Sequence, residues 1–207
     1  FTRQALLDSG KHPERVVKVY NGLDYSAFEH YQEKPSDGQP FTYCFFGRLG
    51  TSKGIDLLLE AAPDFAENFP ETRLKLIIPK VPRHLFKRIM AIIETQKLRE
   101  HITLFHDLTK EELYSEIQTS HCVVIPSYSE GFCFAAAETI ALGTPVISSG
   151  KGALKEVVSG KFIEMESFDK QDLFSALEKA YHGAWTSKPI KHFELKTTVK
   201  NYLALYE

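Results

Sequence analysis

The sequence predicts an α/β domain built on a doubly wound, Rossmann-like parallel sheet with extra C-terminal helices. Three observations predict it. Short apolar runs alternate with longer amphipathic helical patterns through most of the chain. The runs are continuously apolar rather than alternating, as strands buried on both faces of a parallel sheet must be. The 207 residues, 43% hydrophobic and 25% charged, can bury a sizeable core without staples.

The elements follow in order. Residues 1–14 read as the end of a helix plus a turn through Ser9-Gly10 and Pro13. Residues 16–20 are a strand candidate ending at Asn21-Gly22, and residues 41–46 a second ending at Gly47. Ser36-Asp37-Gly38-Gln39-Pro40 reads as a linker or turn. Ile55, Leu58, Leu59, Ala62, Phe65, Ala66 and Phe69 follow helical spacing. Residues 74–78 are a strand stopped by Pro79, 85–98 an amphipathic helix and 102–105 a strand. Thr109-Lys110-Glu111-Glu112 is a capping box opening a helix to about Thr119. Residues 122–125 are a strand ended by Pro126. Residues 132–142 are a helix stopped by Gly143, and 145–148 the next strand. A short helix over 154–158, a strand over 162–165 and a helix over 173–181 come next. After the break at 183–189, residues 192–206 form a last helix.

Bulk properties narrow the function. A formal net charge of −2 gives no reason to expect a nucleic-acid or membrane-surface binder. Of the three cysteines, Cys44, Cys122 and Cys133, none forms a CxxC pair, so no metal site is expected. Cys44 and Cys122 lie in apolar runs and read as core thiols, which fits a reducing, cytoplasmic location. No apolar run approaches the ~18 residues of a membrane span.

In a doubly wound sheet the ligand lies at the carboxyl ends of the strands, which directs attention to two loops. Gly47-Arg48-Leu49-Gly50-Thr51-Ser52-Lys53-Gly54 follows a strand and enters a helix. Its glycines let backbone approach a ligand, and Arg48 and Lys53 add two cations where a helix N-terminus already favours an anion. The set suits a diphosphate. By itself the segment reads equally well as a loop of solvated cations, and it lacks the P-loop spacing. The second loop runs from Pro126-Ser127 through Glu130-Gly131-Phe132-Cys133-Phe134 to Glu138. Eight residues is close to two helical turns, so Glu130 and Glu138 can share one side. Two acceptor-only carboxylates suit two sets of sugar hydroxyls. The amides of residues 131–134, at a helix start, are donors for phosphate or sugar oxygens. Glu138 alone also reads as a carboxylate paired with a lysine, though among Ala136, Ala137, Ile140 and Ala141 it is costly unless matched. Gly143-Thr144-Pro145-Val146-Ile147 reads as plain structure, a helix stop and a buried strand.

Four stretches together resemble a family: Val19-Tyr20-Asn21-Gly22-Leu23-Asp24 with Phe28; Gly47-Arg48-Leu49 with Lys53-Gly54; Pro126-Ser127 with Glu130-Gly131-Phe132 and Glu138; and Gly143 to Ile147. They are similar, in order and spacing, to retaining glycosyltransferases of the GT-B fold, family 4, the glycogen-synthase and sucrose-synthase-like group. The resemblance covers about residues 1–182, with the last helix like the one that crosses back to the N-terminal domain.

The resemblance implies the C-terminal, donor-binding half of a GT-B enzyme. Residues 1–15 would be the exit of an N-terminal domain, 16–182 the nucleotide-sugar-binding domain and 183–207 the crossover helix. The opening Phe-Thr-Arg-Gln, without Met, fits an excised piece that is inactive alone. The implied partners are a UDP-, GDP- or ADP-sugar and the chain's own acceptor-binding domain. Membrane association would come only through parts outside this chain. No metal or cofactor is implied. Arg48 and Lys53 match the pair that binds the donor diphosphate, Glu130 the carboxylate that reads the transferred sugar, and Glu138 the one that holds the ribose diol. Arg48, Lys53 and Glu130 are thus the implied catalytic set. Gly47 joins the donor site, and Gly131, Phe132, Cys133 and Phe134 match the loop whose amides meet sugar and phosphates. His106 is a further candidate at the base. Cys133 stands where a second Gly is usual, Ala135 where Pro is, and Pro79 and His106 where Gly is. Two other readings of the same fold are a non-catalytic nucleotide-binding module and a nucleotide-sugar epimerase.

Overall fold

A computed structural model describes residues 2–31 and 38–206. Ser36 and Asp37 of the expected linker lie outside the described residues, while Gly38 and Gln39 form a turn. The elements are α1 (Thr2–Asp8), a 3-10 turn at Pro13–Arg15 and another at Tyr25–Phe28, β1 (Thr42–Phe46) and a 3-10 turn at Thr51–Lys53. They continue with α2 (Ile55–Asn68), β2 (Arg73–Ile77), α3 (Arg83–Thr95), β3 (Ile102–Phe105), α4 (Lys110–Gln118) and β4 (Cys122–Ile125). The rest are α5 (Phe134–Ala141), β5 (Val146–Ser148), α6 (Leu154–Val157), β6 (Gly160–Glu164), α7 (Lys170–Tyr181), β7 (Thr186–Lys188) and α8 (Leu195–Leu203).

The strands form one sheet in the order β3-β2-β1-β4-β5-β6-β7. All neighbours are parallel except β6 and β7. The chain winds outward from β1 to β3, then crosses back to start again at β4. That reversal opens a crevice beyond the carboxyl ends of β1 and β4. Side chains alternate between the two faces, and both are buried. Tyr43 and Phe45 pack with Leu58, Phe65, Ile89 and Leu177 from α2, α3 and α7. Cys44, Val123 and Ile125 pack with Ile117, Ala136 and Leu154 from α4, α5 and α6. Two-sided burial is why the central strand β4 reads as an unbroken apolar run, whereas β2 carries Lys75 and the outer β3 an exposed Thr103.

Local signals set several boundaries. The capping box forms as expected: Thr109 Oγ1 accepts from the Glu112 amide at 3.2 Å, and the Thr109 amide donates to Glu112 at 2.8 Å. Three expectations need correction. Residues 16–20 form no strand: they lie along the crevice at the carboxyl ends of the strands and so pair with neither edge strand, β3 or β7. Val17 is 62% exposed there. The fifth helix begins at Phe134 rather than 132, because Cys133 at its N-cap has φ 74°. The break at 183–189 contains β7, whose Thr-Ser-Lys run is fully exposed and carries no apolar signal.

Candidate functional site

The crevice at the strand reversal is a cleft of about 740 Å³. The loop after β1 brings Gly47, Arg48 and Lys53 to its wall. Arg48 is exposed and has no hydrogen bond or ion pair among the described residues. Lys53 ends the 3-10 turn that leads into α2. Gly54, the N-cap of α2, has φ 68°, and a Cβ there would lie 1.8 Å from the Pro126 carbonyl. Only glycine permits that approach, which presses the β1 loop onto the β4 loop. The Tyr128 amide donates to the Ser52 carbonyl at 2.9 Å and secures the same contact.

The β4 loop carries Glu130, only 8% exposed. Its carboxylate accepts from Lys53 Nζ at 2.7 Å and from Ser127 Oγ at 2.8 Å. The loop is braced from behind by β5. Ser149 Oγ donates to the Ser127 carbonyl at 2.6 Å, and the Ala153 amide donates to the Glu130 carbonyl at 2.9 Å. Gly152, with φ 62°, makes room for that contact, since a Cβ would stand 2.5 Å from the Glu130 carbonyl oxygen. Beyond Glu130, none of the amides of Gly131, Phe132, Cys133 or Phe134 donates to a protein acceptor among the described residues. They sit at the start of α5, where peptide dipoles favour an anion.

Cys133 is buried at positive φ, a conformation that costs a non-glycine residue on the order of 1–3 kcal/mol and clusters at functional sites. Burial first, and then the charge of Glu130, pushes its thiol up to about 12, so it stays a neutral group on the cleft wall.

Glu138 reaches the same cleft from α5. Since α5 begins at Phe134, the eight-residue spacing from Glu130 is only partly helical. The two carboxylates converge because Lys53, Ser127 and the β5 loop hold Glu130 in place, not because of helical periodicity. Glu138 is half-buried, and burial raises its pKa. The Tyr114 hydroxyl opposes that shift with a 3.3 Å hydrogen bond, and so does the charge of Lys110.

A family model described as glycosyl transferases group 1 matches residues 27–191. The chain belongs to that family. It is 27% identical over 175 residues to one component of the phosphatidylinositol N-acetylglucosaminyltransferase of Arabidopsis thaliana, covering 84% of this chain and 38% of that protein. It is 28% identical over 155 residues to a D-inositol 3-phosphate glycosyltransferase of Rhodococcus jostii, covering 70% and 34%. The chain thus spans well under half the length of these curated relatives. Among solved structures it is similar to a glycosyltransferase of Rickettsia africae, with TM-score 0.83 and 16% identity over 99% of this chain and 60% of that one. It is also similar to Anabaena HepE in complex with UDP-glucose, with TM-score 0.72 and 18% identity over 88% and 52%. At such identities the structural likeness speaks for fold alone, and it bears out the GT-B, Rossmann-like expectation.

In this group 1 glycosyltransferase chain, the structure brings together Gly47, Arg48, Lys53, Glu130, Gly131, Phe132, Cys133, Phe134 and Glu138. His106 is not among the residues lining the cleft. It sits at the carboxyl end of β3, at the outer edge of the sheet, with its buried Nδ1 unpartnered among the described residues. Sequence reasoning missed two contributors. Gly152 was legible as one of two glycines just after the fifth strand, in the Gly150-Lys151-Gly152 run. Tyr114 carried no signal, because its part depends on where α4 packs. Among the described residues no helix is long and apolar enough to cross a membrane.

Proposed function

We propose that this chain binds the nucleotide-diphospho-sugar donor of a retaining glycosyl transfer, with the acceptor held by a domain outside it. One observation carries the reading: the cations Arg48 and Lys53, the carboxylates Glu130 and Glu138 and a run of open backbone amides converge on one cleft at the strand reversal, with Arg3 and Lys18 also on its wall. Arg48 and Lys53 grip the diphosphate without a metal, through charge-assisted bonds worth about 1.5–3 kcal/mol each. Glu130 accepts from the hydroxyls of the transferred sugar and Glu138 from the ribose diol, while the amides of residues 131–134 donate to sugar and phosphate oxygens. In the transfer, the bond from the anomeric carbon to the phosphate oxygen breaks and the bond to the acceptor oxygen forms on the same face. The acceptor proton passes to the departing phosphate, and Arg48 and Lys53 stabilise the negative charge that develops there.

The HepE complex with UDP-glucose makes a UDP-sugar the first donor to try. The three free thiols, Cys44, Cys122 and Cys133, fit a reducing, cytoplasmic setting. The isolated chain should bind donor and transfer poorly, because the acceptor side lies elsewhere.

The test is a thermal-shift and calorimetric panel of UDP, GDP and ADP and their sugars. A ligand at a hundred times its Kd adds about 2.7 kcal/mol, raising Tm by roughly 5–10 °C for a chain of this size. Glu138→Ala should weaken the best ligand about ten- to a hundredfold. A folded chain stabilised by none of these ligands would overturn the reading.

A further inference from the structure

Tyr114 belongs to none of the motifs that define the cleft, yet its surroundings are unusually ordered. It sits on α4, 2% exposed, with Phe28 stacked on its ring at 5.0 Å and Tyr31 edge-on at 5.3 Å. Lys110 Nζ stands 5.3 Å from the ring centroid. Three elements therefore fix the ring: α4 itself, the 3-10 turn that contains Phe28, and the segment that follows it. The ring is aimed so that its hydroxyl meets one group, Oε1 of Glu138, at 3.3 Å. Among the described residues that is the hydroxyl's one hydrogen bond.

We propose that Tyr114 is a positioning residue, whose hydroxyl orients the Glu138 carboxylate to accept from a vicinal diol of the bound nucleotide. The inference rests on the donor-binding reading above and deepens it at one carboxylate. The physical need is plain. Glu138 is half-buried on a helix of alanines and isoleucine, and burial favours its protonated form. A protonated carboxyl donates one hydrogen and loses acceptor capacity. Two groups on α4 oppose protonation, first the Tyr114 hydroxyl and then the charge of Lys110. Arg3, Lys18, Arg48, Lys53 and Glu130 line the same cleft and belong to its charged surroundings. Tyr114 itself is a dependable neutral donor, since burial and then the neighbouring Glu138 charge push its phenol up; Tyr31 and Glu111 act in the same direction.

Glu138 in the fold has a raised pKa, so it takes up a proton at a higher pH than an unburied carboxylate does. Affinity for a diol is therefore present above that raised value and is lost as pH falls through it. Removing the hydroxyl while keeping the ring takes away one opposing force, so protonation moves to still higher pH. A Tyr114 that merely filled space would leave that midpoint where it is.

The experiment uses the whole 207-residue chain and Tyr114→Phe, which keeps the stacked ring. The Glu138 carboxyl carbon is followed by NMR through a pH titration and assigned with Glu138→Gln. UDP, GDP and ADP affinities are measured over the same range. Tyr114→Phe should raise the Glu138 midpoint by about half a pH unit or more. Its nucleotide affinity should begin to fall at correspondingly higher pH, and Glu138→Gln should flatten the profile. An unmoved midpoint overturns the positioning role whatever the affinities do. A moved midpoint in a chain whose wild type binds no nucleotide overturns the donor-binding reading and, with it, the diol assigned to Glu138.

Discussion

Two hollows of similar size lie at opposite ends of the same sheet, about 740 Å³ beyond the carboxyl ends of the strands and about 600 Å³ at their amino ends. Both contain polar side chains, but they use them differently. In the lower hollow four polar side chains close backbone ends. Gln118 donates to the Leu142 carbonyl at 3.4 Å, Ser120 to Glu116 at 2.7 Å, Thr144 to Ile117 at 3.3 Å and Ser159 to Val157 at 3.4 Å. In the upper cleft Arg48 and the amides of residues 131–134 are left uncommitted among the described residues, and Glu130 is buried beside a cation. The difference teaches that volume does not mark the site in this fold. The meeting of cations, carboxylates and open amides does.

The largest effect expected at the upper cleft comes from Gly54→Ala. Its Cβ would collide with the Pro126 carbonyl at a positive φ, which should cost on the order of 3–4 kcal/mol. Thermal unfolding should show Tm lower by roughly 10 °C, and nucleotide binding should go with it, because the cationic and acidic loops would no longer touch. Normal stability and affinity in this variant would break the view that the two loops form one site.

A smaller loss is expected from Lys53→Met. The pair with Glu130 is part-exposed on the lysine side, 23% against 9% for the carboxylate, so its removal should cost about 1–2 kcal/mol of stability in a denaturant titration. Nucleotide affinity should fall about ten- to a hundredfold in the same variant. Unchanged affinity would move the diphosphate away from the β1 loop.

The smallest effect belongs to the lower hollow. Lys161 and Lys188 stand at its rim, and Lys188 Nζ lies 4.6 Å from the Phe162 ring centroid. Replacing both by Ala should cost less than about 1 kcal/mol and leave nucleotide affinity within about twofold by calorimetry. A loss equal to that of Lys53→Met would show that the lower hollow also binds the ligand and would end the contrast.

Much of this was readable from residues alone, and the misses have a common cause. β2, β3 and β4 stand close to where their apolar runs placed them; β4, buried at all four positions, has no polar residue to confuse the pattern, while β2 keeps enough apolar positions around Lys75 to be legible. The capping box at Thr109 and Glu112 was readable because it is closed within four residues. Residues 16–20 carry the same β-branched run and make no strand, since pairing needs a position beside an edge strand and they run across the crevice at the strand ends instead. β7 was invisible for the opposite reason: pairing with β6 supplies its order, and no side chain is buried to announce it. His106 sits at the carboxyl end of a strand, as the fold rule asks, but that strand is at the outer edge and two places from the reversal.

By itself the sequence determined the doubly wound architecture and the residue types of the cleft, because burial pattern, glycine stops and caps are short-range signals written in adjacent residues. What only tertiary structure decided was how those residues meet. The close approach of Gly54 to Pro126, the brace of Gly152 behind Glu130 and the reach of Tyr114 to Glu138 each join segments far apart in the chain. Such contacts depend on the order in which strands are laid down and on which face each helix covers, and no local pattern encodes either.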